Sequence, residues 1–125
     1  MNHVLDACAM LAYLSGEKGA EVVEALLADS AEVCYAHAVN LCEVYYDLLR
    51  RSDERIAREA VADLLADGII ERRDLSGRFW RAVGAHKARG RISLADCFCI
   101  ALAQGLSADS SPATAASSSR WYRWA

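Results

Sequence analysis

The sequence holds a single proline, Pro112, and no apolar run near the roughly 20 residues that a bilayer crossing needs. The scarcity of proline leaves most of the chain open to regular structure. The short apolar runs argue against a spanning helix. Met1 to Asp6 shows no basic region followed by a long apolar stretch, so no secretory leader is read and the cytoplasm is the expected compartment. Positive charge is also short: 14 Lys and Arg against 17 Asp and Glu give −3. That balance counts against a protein that coats nucleic acid with its own cations. It leaves room for a nuclease that meets phosphate through a bound cation. The five cysteines, Cys8, Cys34, Cys42, Cys97 and Cys99, are odd in number, and no C-x-x-C or His pair accompanies them. A disulfide framework and a zinc site are therefore disfavoured, and the thiols are expected to act as small buried hydrophobes.

What the chain does have is apolar residues, 54% of 125, enough for the core of one domain without covalent staples. Their spacing sets the elements. His3-Val4-Leu5-Asp6 reads as a short buried strand ending in an acid, followed by helix from Ala7 to Leu14 and a break at Ser15-Gly16. A helix from Ala20 to Ala28 precedes a second strand at Glu32 to Tyr35. Leu41, Val44, Tyr45 and Leu48 make the stripe of an amphipathic helix over 37–51. Ser52 and Asp53 cap a further helix to Ala66, and Ile69 to Glu71 suggests a third strand. Helices from Ser76 to Ala88 and from Leu94 to Gln104 follow, closed by Gly90 and Gly105. Strands alternating with helices predict an α/β fold with a parallel sheet covered on both faces.

Three acids stand out by position. Asp6 follows the first strand, where ligands of open parallel sheets gather, yet the same place suits a helix cap. Glu43 lies on a polar stripe with His37, Asn40 and Asp47, which equally describes a solvated helix face. Asp96 sits in Ser93-Leu94-Ala95-Asp96, which is also a capping pattern. Arg72, Arg73, Arg78, Arg81, Lys87, Arg89 and Arg91 are either a basic rim or ordinary surface.

Together, Val4-Leu5-Asp6-Ala7-Cys8-Ala9, Ala38-Val39-Asn40-Leu41-Cys42-Glu43-Val44 and Ser93-Leu94-Ala95-Asp96-Cys97-Phe98 resemble, in order and separation, the three acidic phrases of PIN-domain ribonucleases of the VapC toxin type. The similarity covers about residues 2–106. Cys8 and His37 depart from it, each standing where Ser or Thr is usual. The resemblance implies a three-layer PIN-like fold, a short parallel sheet flanked by helices. It implies a metal-dependent endoribonuclease, the toxin component of a type II toxin–antitoxin pair. Asp6, Glu43 and Asp96 would be its catalytic residues and the ligands of Mg²⁺ or Mn²⁺, hard cations that prefer oxygen. Asn40 would orient Glu43 or touch phosphate. RNA as substrate, a cognate antitoxin and a homodimer are further implications. The competing readings are a catalytically impaired PIN-fold remnant that only binds an antitoxin, and a plain α/β domain whose three acids coincide by chance.

The end of the chain fits the family least. From Ser107 it becomes a Ser/Ala-rich tract and finishes with Arg120-Trp121-Tyr122-Arg123-Trp124-Ala125, so residues 1–106 read as the domain and 107–125 as a flexible tail with an aromatic-basic tip able to stack on RNA bases. The resemblance calls for a last core strand with a fourth acid, in a phrase like Leu-Val-Thr-x-Asp. The corresponding position is Thr114, and Asp109 is a poor substitute, so the last strand is expected to be missing or altered. A shifted reading frame would account for this. One permitted back-translation, read from the last base of the Asp109 codon, gives Leu-Val-Thr-Gly-Asp-Arg-Arg-Glu-Phe-Glu-Ser-Leu-Val-Pro-Leu-Gly, with its aspartate at the place of Thr114. Sequencing the gene across codons 105–125 tests the idea, and the absence of a family-like phrase in either other frame ends it.

Overall fold

A computed structural model describes residues 1–108 and 119–122. In chain order the elements are β1 (Asn2–Leu5), α1 (Ala7–Ser15), α2 (Ala20–Ala28), β2 (Val33–His37), α3 (Ala38–Arg51), α4 (Glu54–Ala66), β3 (Ile70–Arg72), α5 (Gly77–Arg89), α6 (Leu94–Ala108) and β4 (Ser119–Tyr122). Local chemistry sets most of the boundaries. Asp6, Asp53 and Ser76 stand in extended backbone before α1, α4 and α5, and each accepts from the amide three residues on, satisfying a donor that the first helical turn leaves free. Gly16, at φ 66°, stops α1 by turning its amide back onto the carbonyls of Ala12 and Tyr13, a conformation that costs a residue with Cβ more.

All the strands run parallel, in the order β3-β2-β1-β4. Successive strand residues face opposite ways, and the core divides accordingly. Leu5, Cys34 and Ala36 pack with Ala7, Met10, Val23, Leu41, Val44 and Leu64 from α1 to α4 on one face. Val4 packs with Cys99, Leu102 and Leu106 of α6 on the other, and Val83 of α5 joins Cys97 and Ala101 beside them. Leu5, Met10, Leu64 and Leu102 are fully buried, each contributing roughly 1.5–3 kcal/mol of transfer free energy. The result is the expected three-layer α/β fold, with a parallel sheet between two helical layers.

Two details differ from the sequence reading, and a third was left open by it. Gly105 does not close the last helix: α6 continues to Ala108, because Leu106, one residue later, is buried against Val4 and Leu102. Cys34, Cys97 and Cys99 are buried as expected, but Cys8 and Cys42 are exposed, and none of the five forms a disulfide. The last strand is present in altered form. Ser119–Tyr122 pairs along β1, from Asn2 opposite Ser119 to Leu5 opposite Tyr122. Thr114, Asp109 and Arg123 lie outside the described residues.

Candidate active site at the carboxyl edge of the sheet

Parallel strands bring their carboxyl ends to one edge, and that edge carries Asp6 after β1, His37 at the end of β2 and Arg72 at the end of β3. Asp6 is buried, and one carboxylate oxygen, Oδ1, accepts from the Ala9 amide at 2.8 Å. Both sequence roles thus coincide in one residue: Asp6 caps α1 and stands at the strand end. Asp96 is 8% exposed in the first turn of α6, where Ser93 Oγ accepts from its amide at 3.0 Å. An acid in a first helical turn sits in the positive end of the helix dipole. Glu43, half-buried on α3, has its carboxyl pushed up from the ordinary range by burial and by the negative charge of Asp96, against a hydrogen bond from Asn40 that favours the carboxylate. Glu43 therefore feels the charge of Asp96 across the α3–α6 contact.

Asn40 ties those two helices together. It is fully buried, and its Nδ2 donates to the Ala95 carbonyl at 3.1 Å, one residue before Asp96. Its Oδ1 has no hydrogen-bond partner among the described residues. The polar stripe of α3 is thus no solvated face: His37 and Asn40 are buried, and Glu43 and Asp47 are half-buried. His37 is a hub that sequence reasoning left unused. Its Nδ1 accepts from the Val39 amide at 3.1 Å, which caps α3, and its Nε2 pairs with the Asp74 carbonyl at 2.8 Å. A carbonyl can only accept, so the ring holds its proton on Nε2. Phe79 stacks on the ring with centroids 5.3 Å apart, and Phe98 tilts against it at 4.8 Å. The signal available in the sequence was the spacing His37-x-x-Asn40-x-x-Glu43, one helix face followed from its cap.

All three candidate acids are oxygen donors, which suits a hard divalent cation. Yet among the described residues no group of three His, Cys, Asp or Glu side chains is arranged to hold a metal ion. What the structure brings together is α3 and α6, the helices of Glu43 and Asp96, with Asp6 at the end of β1.

The basic residues fall into two sets. Arg72 makes two bonds to Asp74, both at 2.9 Å, which hold the Asp74 carboxyl below its usual range, and Arg73 pairs with Glu71. Those later in the chain, from Arg78 to Arg91, are exposed on α5 and the loop after it. A separate open cavity of about 630 Å³ lies between α3 and α4, lined by Leu41, Tyr45, Val61 and Leu65 with Arg58 and Glu71 among its polar residues. None of the candidate acids lines it. No helix among the described residues is long and apolar enough to cross a membrane.

The fold matches solved structures at low sequence identity. VapC20 of Mycobacterium tuberculosis, described as a toxin that cleaves the sarcin-ricin loop, superposes with a TM-score of 0.65 at 18% identity over 83% of this chain and 82% of that one. VapBC2 of Rickettsia felis, bound to a DNA fragment from its promoter, superposes with a TM-score of 0.66 at 12% identity over the whole of both chains. No curated protein matches the sequence. The sequence pattern of the PIN domain matches residues 3–110, a span that holds every candidate acid and, but for Asn2, all the elements from β1 to α6, and the chain belongs to the PIN-domain family.

Proposed function

We propose that this protein is a metal-dependent endoribonuclease that hydrolyses RNA phosphodiester bonds, the toxin component of a type II toxin–antitoxin pair. The observation that carries the reading is the Asn40 bond that ties α3, the helix of Glu43, to the residue before Asp96 on α6, at the sheet edge where Asp6 ends β1. The PIN-domain match and the likeness to a solved VapC toxin and a solved VapBC complex support it. In this reading Asp6, Glu43 and Asp96 are both the catalytic residues and the ligands of Mg²⁺ or Mn²⁺. A divalent ion bound there supplies charge neutralisation at phosphate and an acidified water. Three carboxylates repel one another, so they are asked to draw together only when a cation is present. Asn40 and Ser93 position the acids: Asn40 fixes the first turn of α6 against α3, and Ser93 caps that turn. The catalytic groups lie in residues 1–106, and beyond them Ser119–Tyr122 adds the strand β4 beside β1. A cognate antitoxin is the partner, a homodimer the assembly and the cytoplasm the compartment.

The test is cleavage of RNA by the full chain with Mg²⁺ or Mn²⁺, beside Asp96→Asn and an EDTA control. Metal-dependent cleavage that the variant loses is the expected result. Cleavage indifferent to both the substitution and EDTA sinks the proposed site. A second reading, an impaired PIN-fold remnant that only binds its antitoxin, is favoured by the lack of a ready three-residue metal group among the described residues. Folded protein without turnover selects it.

A further inference from the structure

The net charge of −3 conceals a division. From Arg72 to Arg91 the sequence has seven Lys or Arg and one acid, Asp74, a net of +6. The rest has seven basic residues and sixteen acids, a net of −9. A strip of one sign on a body of the other is the pattern expected of a surface that meets a polyanion. The strip covers the end of β3, α5 and both loops around it. Arg72 and Arg73 are spent on Asp74 and Glu71. Arg78, Arg81, Lys87, Arg89 and Arg91 are exposed, and among the described residues none has a carboxylate within ion-pair distance. Lys87, Arg89 and Arg91 sit at or beyond the last turn of α5, where the helix dipole favours cations. Arg78 has no such reason. It lies in the first turn, where the helix end is already positive, so its place is unfavourable until an anion arrives.

Trp80 stands among these cations, 53% exposed. The Arg81 guanidinium lies 5.2 Å from the centroid of its ring. On the same helix face, Gly77 is three residues before Trp80 and Gly84 four after. A Cβ at Gly84 would meet nothing within 4 Å, whereas one at Gly77 would come within 3.2 Å of the Arg81 guanidinium. The indole is thus flanked by positions without side chains, and Arg81 folds into the space over Gly77. The next residue back, Phe79, stacks on His37 and lies 5.8 Å from Phe98, two residues past Asp96. The turn that presents Trp80 is therefore rooted in the aromatic cluster beside the candidate active site.

We propose that Trp80 is a stacking platform for one unpaired base of a single-stranded nucleic acid, with Arg78 and Arg81 meeting the flanking phosphates. An aromatic face stacks on any exposed base, and a duplex offers none along its length. This deepens the nuclease reading, on which the choice of RNA as the polymer rests. A protein partner without matching carboxylates fits less well, because docking it would bury several unpaired guanidinium groups at a cost in desolvation.

The experiment is fluorescence anisotropy of a labelled single-stranded RNA oligonucleotide titrated with the full chain in EDTA, over a range of salt. Binding by the wild type is expected. Trp80→Ala should weaken it about tenfold with the salt slope unchanged, and Trp80→Phe should recover most of the loss. Arg78→Gln and Arg81→Gln should each reduce the slope of log affinity against log salt by about 0.7. Equal thermal midpoints establish that the variants are folded. The proposal fails if the wild type binds no RNA, or if folded Trp80→Ala binds it as tightly as the wild type. It also fails if Trp80→Ala changes only the sedimentation of the chain, which marks the patch as a protein interface. RNA held through Trp80 but never cut with Mg²⁺ or Mn²⁺ upholds the platform and removes the nuclease. Cleavage with Trp80-independent binding does the reverse.

Discussion

Helices α4 and α5 have the same length, 13 residues, and the same manner of starting, a polar cap bonded to the amide three residues on. They handle charge in opposite ways. On α4, Arg55 pairs with Glu59 and Arg58 with Glu54, each one turn apart, so both arginines are neutralised within the helix. Just before it, Arg50 and Arg51 share Asp47 at the end of α3. Helix α5 has five basic side chains, His86 included, and no acid at all. The difference shows that counting basic residues says little about partners. An arginine with a carboxylate one turn away is already occupied, and one without it keeps its field for whatever approaches.

The comparison can be broken or sharpened by experiment. The largest effect should erase the difference, because both helices are anchored by core residues. Leu64→Ala on α4 empties a fully buried site and should cost roughly 2–5 kcal/mol in urea unfolding. Val83→Ala on α5 removes one carbon fewer and should cost less. Charge reversal should restore the contrast. Arg78→Glu with Arg81→Glu is expected to lower affinity for single-stranded RNA by about 100-fold or more at low salt, while Arg55→Glu with Arg58→Glu changes it by about threefold at most. The caps should again behave alike: Asp53→Ala and Ser76→Ala each cost about 1 kcal/mol by thermal or urea unfolding. The smallest effect concerns acid. Hydrogen bonding to Arg72 lowers the folded-state value of Asp74 below that of a free aspartate, near 3.9. The pair's stabilisation is therefore fully present above about 3.9 and fades as pH falls through the lowered value. Arg72→Gln should flatten that part of the stability–pH curve, by under about 1 kcal/mol, with little change in pH dependence near neutrality.

Much of the scaffold was legible because its boundaries are local. Asp6, Asp53, Ser76 and Gly16 act through bonds to residues within four positions, and the expected helices and first three strands fall within a few residues of those observed. What escaped depends on partners far along the chain. His37 seemed to open a polar stripe, but its outer nitrogen reaches the Asp74 carbonyl, 37 residues on. Asn40 binds a backbone atom 55 residues away, which no side-chain pattern announces. Gly105 looked like a helix end, and burial of Leu106 overrode its weak preference. Asp6, Glu43 and Asp96 occupy the elements the sequence suggested, while the electrostatic link between the last two required the α3–α6 contact.

The attachment of β4 to β1 bears on how such a chain tolerates change in its coding sequence. A parallel ladder is built from main-chain amides and carbonyls, which every residue type except proline supplies in full. Ser119 to Tyr122 contains no proline, and the ten positions between Ala108 and Ser119 span up to about 35 Å when extended, well beyond the roughly 13 Å length of a four-residue strand. The vacancy at the margin of β1 therefore selects for reach and for backbone, and scarcely for the identity of the letters that fill it. A gene can exchange the wording of such a segment wholesale and still inherit the sheet.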